Sequence, residues 1–249
     1  MQQRKCIRKT YSDFLFCASL FLYDSFTDEL SMPDIAPFLV SFRLAFTTVV
    51  VLLVVAVPLA YILAVTKHRL KPLVESIVSL PIALPPTVVG FYFLYAFGRG
   101  SVFGAWLADS FDVSLVFSFS GLVLGSVLYS LPFMVQPVKN GFEAISTEIL
   151  ESAVLDGATN LQVFVRVALP IARRSLLTGS ALAFVHALGE FGIVMMIGGN
   201  ISGETRTASI ALYDAVQALD YGTAHIYAAI LLGVAFLFGI PAFQWWREK

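Results

Sequence analysis

Long apolar runs separated by short charged loops dominate the pattern of this chain. Residues 44–65 carry no charged side chain and are long enough to cross a bilayer, which takes about 20 residues of helix. Arg43 precedes this run, and Lys67, His68, Arg69 and Lys71 follow it. Further apolar stretches cover 73–97, 115–138, 175–199 and 221–246. The pattern therefore predicts an all-α, polytopic transmembrane helix bundle of five spans. Residues 36–249 form that transmembrane domain, with a polar loop over 140–174, and residues 1–35 form a separate N-terminal extension.

Prolines and small residues punctuate the runs. Pro58 is expected to kink the first span. In the second, Pro81, Pro85 and Pro86 break the helix, and the piece after Pro86 is only about 16 Å long at 1.5 Å per residue. Broken helices at the midplane are where transporters bind or gate, and a helix restarting near Thr87 aims unpaired N–H groups at a passing anion. Pro85, Pro86, Thr87 and Gly90 are thus candidates for a pathway or gate, weighed equally against a proline kink that merely shapes the bundle. The fourth run holds Gly179, Ala183 and Ala187, a small-residue stripe that lets another helix approach closely. His186 and Glu190 lie four apart on one helical face, and an ionisable residue at membrane depth is functional by default. A structural or gating contact between these two is expected, rather than a substrate ligand or a metal site.

The stretch 148–170 is the one long polar and amphipathic island. It reads as two short helices joined at Gly157, whose backbone freedom suits a turn. Thr147 is expected to cap the first helix, with Glu148 and Glu151 in its first turn. Thr159 with Gln162 makes a capping box for the second, and Leu161, Phe164, Val165 and Ala168 give that helix an apolar face. Pro170 disfavours helical geometry at Leu169 and marks the return to the membrane. An amphipathic helix lying on the membrane surface is the plainer alternative. Farther on, 198–207 is a glycine-rich polar turn leading into an amphipathic segment, 208–221, expected at the outer surface. That end is an ordinary loop or a docking surface for an external protein.

Composition narrows the class. The chain is 58% hydrophobic and 13% charged, whereas soluble domains carry about 25% charged residues. A net charge of −1 selects no partner, and nothing points to nucleic acid. Cys6 and Cys17 both fall in the first twenty residues, and His68, His186 and His225 are scattered, so no disulfide framework or metal site is offered. No phosphate-binding G-x-x-x-x-G-K-[ST] loop occurs, and no His/Asp/Glu or Ser/His cluster recurs across the runs. The chain is not read as an enzyme, has no catalytic residues and holds no cofactor itself.

Basic residues set the expected orientation. Lys67, Arg69 and Lys71, then Lys139, Arg166, Arg173 and Arg174, and finally Arg247 and Lys249 fall on one side, against mainly Arg99 and Arg206 on the other. The positive-inside rule puts the 140–174 loop and the C-terminus in the cytoplasm, with Tyr221, Trp245 and Trp246 at interfacial span ends. Residues 1–35 are harder to read: Arg4, Lys5, Arg8 and Lys9 precede an apolar run of ten residues, 14–23, too short to span. A sixth span, a secretory signal without a small-x-small cleavage site, and a translation start at Met32 all stay open, with the last preferred.

The island carries a signature: Glu151, Ser152 and Ala153, three residues, Gly157, nine residues, then Val167, Ala168, Leu169 and Pro170. It resembles the cytoplasmic coupling loop of importer-type ABC transporter permeases, whose pattern is Glu-Ala-Ala, three residues, Gly, nine residues, Ile-x-Leu-Pro. Ser152 for Ala and Val167 for Ile are mild departures. The stretches 84–92, 131–135, 187–192, 203–207 and 210–214 are similar to the molybdate-type branch, with His186 where that branch is expected to carry Arg. The resemblance implies a homodimer in a prokaryotic cell membrane, importing a tetrahedral oxyanion, molybdate or tungstate, by alternating access. Two separate ATP-binding cassette subunits, holding ATP and Mg, would dock on the two coupling loops, and an external solute-binding protein would deliver the cargo. Glu151, Ser152, Ala153 and Gly157 would be contact and turn residues, and Leu169 and Pro170 a rigid exit. A sulfate or thiosulfate permease of the same superfamily is the near alternative. A self-sufficient secondary transporter is less favoured, since only Glu190 with His186 offers an intramembrane charge pair.

Overall fold

The computed structural model describes residues 33–247, of 241–247 by backbone alone. The readings made for residues 1–32 and for the side chains of Trp245 and Trp246 lie outside what is described. Eleven helical segments follow one another: α1 Ala36–Val65, α2 Lys71–Ala83, α3 Pro86–Phe97, α4 Val102–Phe111, α5 Phe119–Glu143, α6 Thr147–Leu155, α7 Asn160–Ile171, α8 Arg173–Gly189, α9 Gly192–Gly198, α10 Ala208–Gln217 and α11 Tyr221–Arg247. Among the described residues there is no strand. Among the described residues three helices, α1, α5 and α11, are each long and apolar enough to cross a membrane. The pairs α2 with α3 and α8 with α9 are bent by 108° and 58°, and bring the spans to five if each bent pair is one.

The apolar pattern alone does not tell inside from outside, because lipid accepts the same side chains as the core. Packing does. Over its apolar window α5 is 61% buried and α11 only 11%, so α5 is the axis and α11 lies at the rim. Leu52, Ala56 and Ala60 of α1 meet Met134, Val135 and Val138 of α5 and Ala183 of α8 in one buried cluster. The small-residue stripe of α8 works as expected: a Cβ on Gly179 would lie 3.1 Å from the Met134 carbonyl oxygen of α5. A second cluster gathers Leu44, Phe93, Leu122, Ile193, Ile197 and Ile210 where α1, α3, α5, α9 and α10 converge. Val54, Phe46 and Leu237 stay exposed and face the direction in which lipid is the solvent.

Four boundaries differ from the sequence expectation. The first span begins at Ala36 and takes in Arg43, whose guanidinium sits 4.2 Å over the Phe119 ring and so has an aromatic face as partner. The third span runs on to Glu143 through Pro132 and Pro137, carrying Lys139 inside the helix rather than in a loop. The fourth run is broken after Gly189: Glu190 is extended (φ −63°, ψ 129°), and α9 restarts at Gly192. Gly189 and Gly192, flanking the two non-helical residues Glu190 and Phe191, weaken the helix there without any proline. Lastly, α10 is amphipathic as expected, with Tyr213, Val216 and Gln217 exposed, but its other face is packed into the bundle. Ala208, Ile210 and Ala211 are fully or almost fully buried, and the Ala208 N–H donates to Ser41 Oγ of α1 at 2.8 Å. The short helix α4, capped by Ser101 Oγ on the Gly104 N–H at 2.8 Å, was not anticipated.

Candidate functional site

The 148–170 island folds as a helix, a turn and a helix. Ser146, not Thr147, is the residue before α6; its hydroxyl donates to Glu148 Oε2 at 2.6 Å instead of capping the helix. Thr147 is the first helical residue, so Glu148 is in the first turn and Glu151 in the second. At the far end Gly157 has φ +87°, a conformation that only glycine takes without strain. Its N–H donates to the Val154 carbonyl and the Ala158 N–H to the Ala153 carbonyl, both at 3.0 Å. These two bonds are a Schellman closure, so Ala153 contributes through its backbone. Ser152 is exposed and its hydroxyl returns to the Ile149 carbonyl at 3.0 Å.

The capping box forms as read: the Thr159 N–H donates to Gln162 Oε1 at 2.8 Å and the Gln162 N–H to Thr159 Oγ1 at 3.3 Å. The apolar face of α7 differs. Val163 and Ala168 are buried and Phe164 partly so, while Leu161 and Val165 are exposed. The cause is a π-helical stretch over Val163–Ala168, in which the Leu169 N–H reaches back five residues to Phe164. A wider turn advances the phase of the helix, and the 3.6-residue spacing no longer marks the inner face. The same stretch leaves Leu169 helical (φ −62°, ψ −46°) in spite of Pro170, and the chain turns at Ala172 instead. Tyr61 of α1 packs on Phe142 and Phe164 with ring centroids 5.3 and 4.8 Å away, anchoring α7 to the bundle. Outward, Ile149, Val154, Leu155 and Leu161 are exposed, Leu155 by 87%. A groove of about 790 Å³ runs beside them, lined by Tyr61, Phe142, Leu150, Glu151, Val154 and Leu155 among others. An apolar patch of this kind suits contact with another protein or with the membrane surface.

The second focus is the pair of breaks. Leu84 and Pro85 are extended (ψ 139° and 136°), and Pro86 opens α3 at the position that tolerates proline. The Val88 and Val89 N–H groups both return to the Pro85 carbonyl, at 3.0 and 3.3 Å. Pro85 and Thr87 are exposed, Pro86 is half-buried and Gly90 is buried. A Cβ on Gly90 would lie 2.7 Å from Met196 Cβ of α9, and one on Gly192 would lie 2.6 Å from Pro86 Cβ. The restarted halves of the two bent spans therefore press against each other where only glycine fits.

Glu190 occupies the second break. Its Oε1 accepts the Ile193 N–H at 3.1 Å. Its carbonyl accepts Ser209 Oγ at 2.7 Å, which fixes α10 to the break. His186 Nε2 is 3.9 Å from Glu190 Oε2, near enough for an ion pair and too far for a hydrogen bond. The closer contacts of His186 are Ser130 Oγ, 3.0 Å from Nδ1, and the Phe133 ring, stacked at 4.0 Å. Glu190 thus caps a helix start, and His186 is wedged against α5. Both are positioned chiefly by other partners.

One constellation was not foreseen. At the end of α5 nearest α6, Lys139 Nζ lies 2.7 Å from Glu75 Oε1 and 3.7 Å from Glu143 Oε1. Lys71 Nζ lies 3.0 Å from Glu143 Oε1 and 3.9 Å from Glu75 Oε1. One turn farther along, Gln136 Nε2 donates to Ser79 Oγ at 3.1 Å. The signal available in the sequence was the pair of Lys/Glu spacings of four, Lys71 with Glu75 and Lys139 with Glu143.

Comparison with known proteins places this architecture. Residues 56–246 match the family described as binding-protein-dependent transport system inner membrane component. The chain belongs to this family. It is 44% identical over 208 residues to the molybdenum transport system permease protein ModB of Azotobacter vinelandii, covering 84% of this chain and 92% of that one. It is also 34% identical over 179 residues to the sulfate transport system permease protein CysT of Escherichia coli (strain K12), covering 72% of this chain and 64% of that one. In fold it matches a chain of a bacterial alginate ABC transporter solved in complex with alginate pentasaccharide-bound periplasmic protein. The TM-score is 0.71 at 18% identity, over 88% of this chain and 80% of that one. As an inner membrane component of that family, the chain is a multi-pass membrane protein whose relatives are transport permeases.

Proposed function

We propose that this permease is the membrane-spanning subunit of an ATP-driven importer of molybdate or tungstate. The observation that carries the reading is the similarity to the molybdenum permease, which is both higher in identity and fuller in coverage than that to the sulfate permease. The chain works as a homodimer, with a cytoplasmic C-terminus. Two ATP-binding cassette subunits seat on the exposed face of α6 and α7, where Leu155, Val154 and Leu161 offer an apolar contact rimmed by Glu151. ATP and Mg are bound by those subunits, and an external solute-binding protein delivers the oxyanion. Gly157 sets the angle between the two loop helices, and the Tyr61, Phe142 and Phe164 cluster passes their movement into α1 and α5. Pro85, Pro86, Thr87 and Gly90, with His186 and Glu190 behind them, form the hinge region that opens and closes the pathway. Leu169 and Pro170 carry the loop back to α8. Molybdate uptake by cells lacking their own transporter tests this. Uptake that appears only when the ATPase subunit is co-expressed supports the reading, and uptake that survives its loss overturns it.

A further inference from the structure

The four charges at the base of α2 and α5 are more than a neutralised surface patch. The ties run antiparallel, one per helical turn: Lys71 to Glu143, Glu75 to Lys139, Ser79 to Gln136. Each charged group has two opposite partners within 4 Å, and all four side chains are only 20–35% exposed. A cavity of about 160 Å³ lies alongside, lined by Glu75, Ser79, Gln136, Lys139 and Asn140 on its polar side and by buried Leu63, Val78 and Val135 on its apolar side, so the ladder runs along the edge of apolar packing between the helices.

Two features give this ladder a mechanical meaning. Among the described residues, α5 is the helix against which α2 packs broadly, so α2 is held to the bundle mainly through this interface. The ladder also stands between two moving parts. Four residues past Glu143 the chain enters α6, and two residues past the end of α2 stands the Pro85 break. A slip of α2 by one turn in either direction would set Lys71 against Lys139 or Glu75 against Glu143. Like charges would then meet in a half-buried site, where an unpaired charge is strongly disfavoured. The alternating order of the charges therefore fixes register as well as contact.

We propose that Lys71, Glu75, Lys139 and Glu143 lock α2 to α5 as one rigid lever, which carries movement of the α6 and α7 loop to the Pro85 break without slip. These are positioning residues, and the inference rests on the transport reading above. The test is the amount of oxyanion moved per ATP hydrolysed by the complete complex in proteoliposomes, relative to wild type. Glu75→Gln and Lys139→Gln should each lower that ratio several-fold while ATP hydrolysis continues. Inverting all four charges (K71E, E75K, K139E and E143K together) should restore it. A chain with Cys6 and Cys17 replaced by Ser, carrying S79C, Q136C and K139Q, should regain coupling when a short bis-methanethiosulfonate joins α2 to α5, each cysteine thiolate forming a disulfide with the linker and releasing methanesulfinate. The same crosslink without K139Q should leave transport intact. Unchanged ratios in the single variants, no rescue by inversion in an assembled complex, or transport blocked by the crosslink would each overturn the lever. If the inverted chain does not assemble, the crosslinked pair decides alone. Because the ratio is taken for whichever oxyanion the wild-type complex moves, failure of the molybdate assignment would show in the wild-type control and leave this test standing.

Discussion

Gly192→Ala probes the seam between the two broken spans. The added Cβ would lie 2.6 Å from Pro86 Cβ, whereas carbon atoms in contact settle about 3.5–4.0 Å apart. The pyrrolidine ring is part of the backbone and cannot swing away, so α9 and α3 must part by about 1 Å. Overpacking of this kind costs about 1–3 kcal/mol. For a chain of this size that corresponds to a fall of about 2–12 °C in unfolding temperature, taking about 2–4 °C per kcal/mol. Gly189→Ala, three residues earlier, is the internal control: a Cβ there meets nothing within 4 Å. That change should be neutral or mildly stabilising, since alanine is the better helix former by about 0.5–1 kcal/mol. The assay is the fraction of detergent-purified permease that stays monodisperse after heating through a temperature series. Equal losses in the two variants, or none in Gly192→Ala, would refute the contact between the two restarted helices.

Three further outcomes are expected. Gly157→Pro should abolish coupled transport while the chain still inserts, because proline fixes φ near −65° where the turn needs +87°; persistent uptake would move the turn elsewhere. Leu155→Asp places a charge on a residue that is 87% exposed, so stability should hold while co-purification of the ATPase subunit falls. Undiminished co-purification would remove this face from the docking surface. Glu190→Gln keeps an oxygen for the Ile193 N–H but loses the carboxylate charge; uptake should slow with oxyanion preference unchanged, and an altered preference would contradict a positioning role.

The bundle was legible because a bilayer demands about 20 apolar residues per span, and five runs of that kind stand out. Gly157 and the Thr159 capping box were legible because both are local: one needs a left-handed backbone, the other a fixed spacing of three. The second break was hidden, since the run 175–199 has no proline and its helix stops where flanking glycines meet the capping carboxylate of Glu190. The inner face of α7 was misplaced because a π-helical stretch shifts phase, which no 3.6-residue pattern records. The inner face of α10 is tied to distant segments by the Ser41 and Ser209 hydrogen bonds, which no local pattern records. The charge ladder joins residues 64 and 72 positions apart, so the two local Lys/Glu spacings of four do not reveal that the pairs face each other.

The central claim is oxyanion import driven by a partner ATPase. Its most direct test is ATP hydrolysis by the permease reconstituted with that ATPase and the solute-binding protein, titrated separately with molybdate, tungstate and sulfate. Stimulation by molybdate or tungstate and not by sulfate is the predicted result. Stimulation by sulfate alone, or by none of the three in an intact complex, would contradict it.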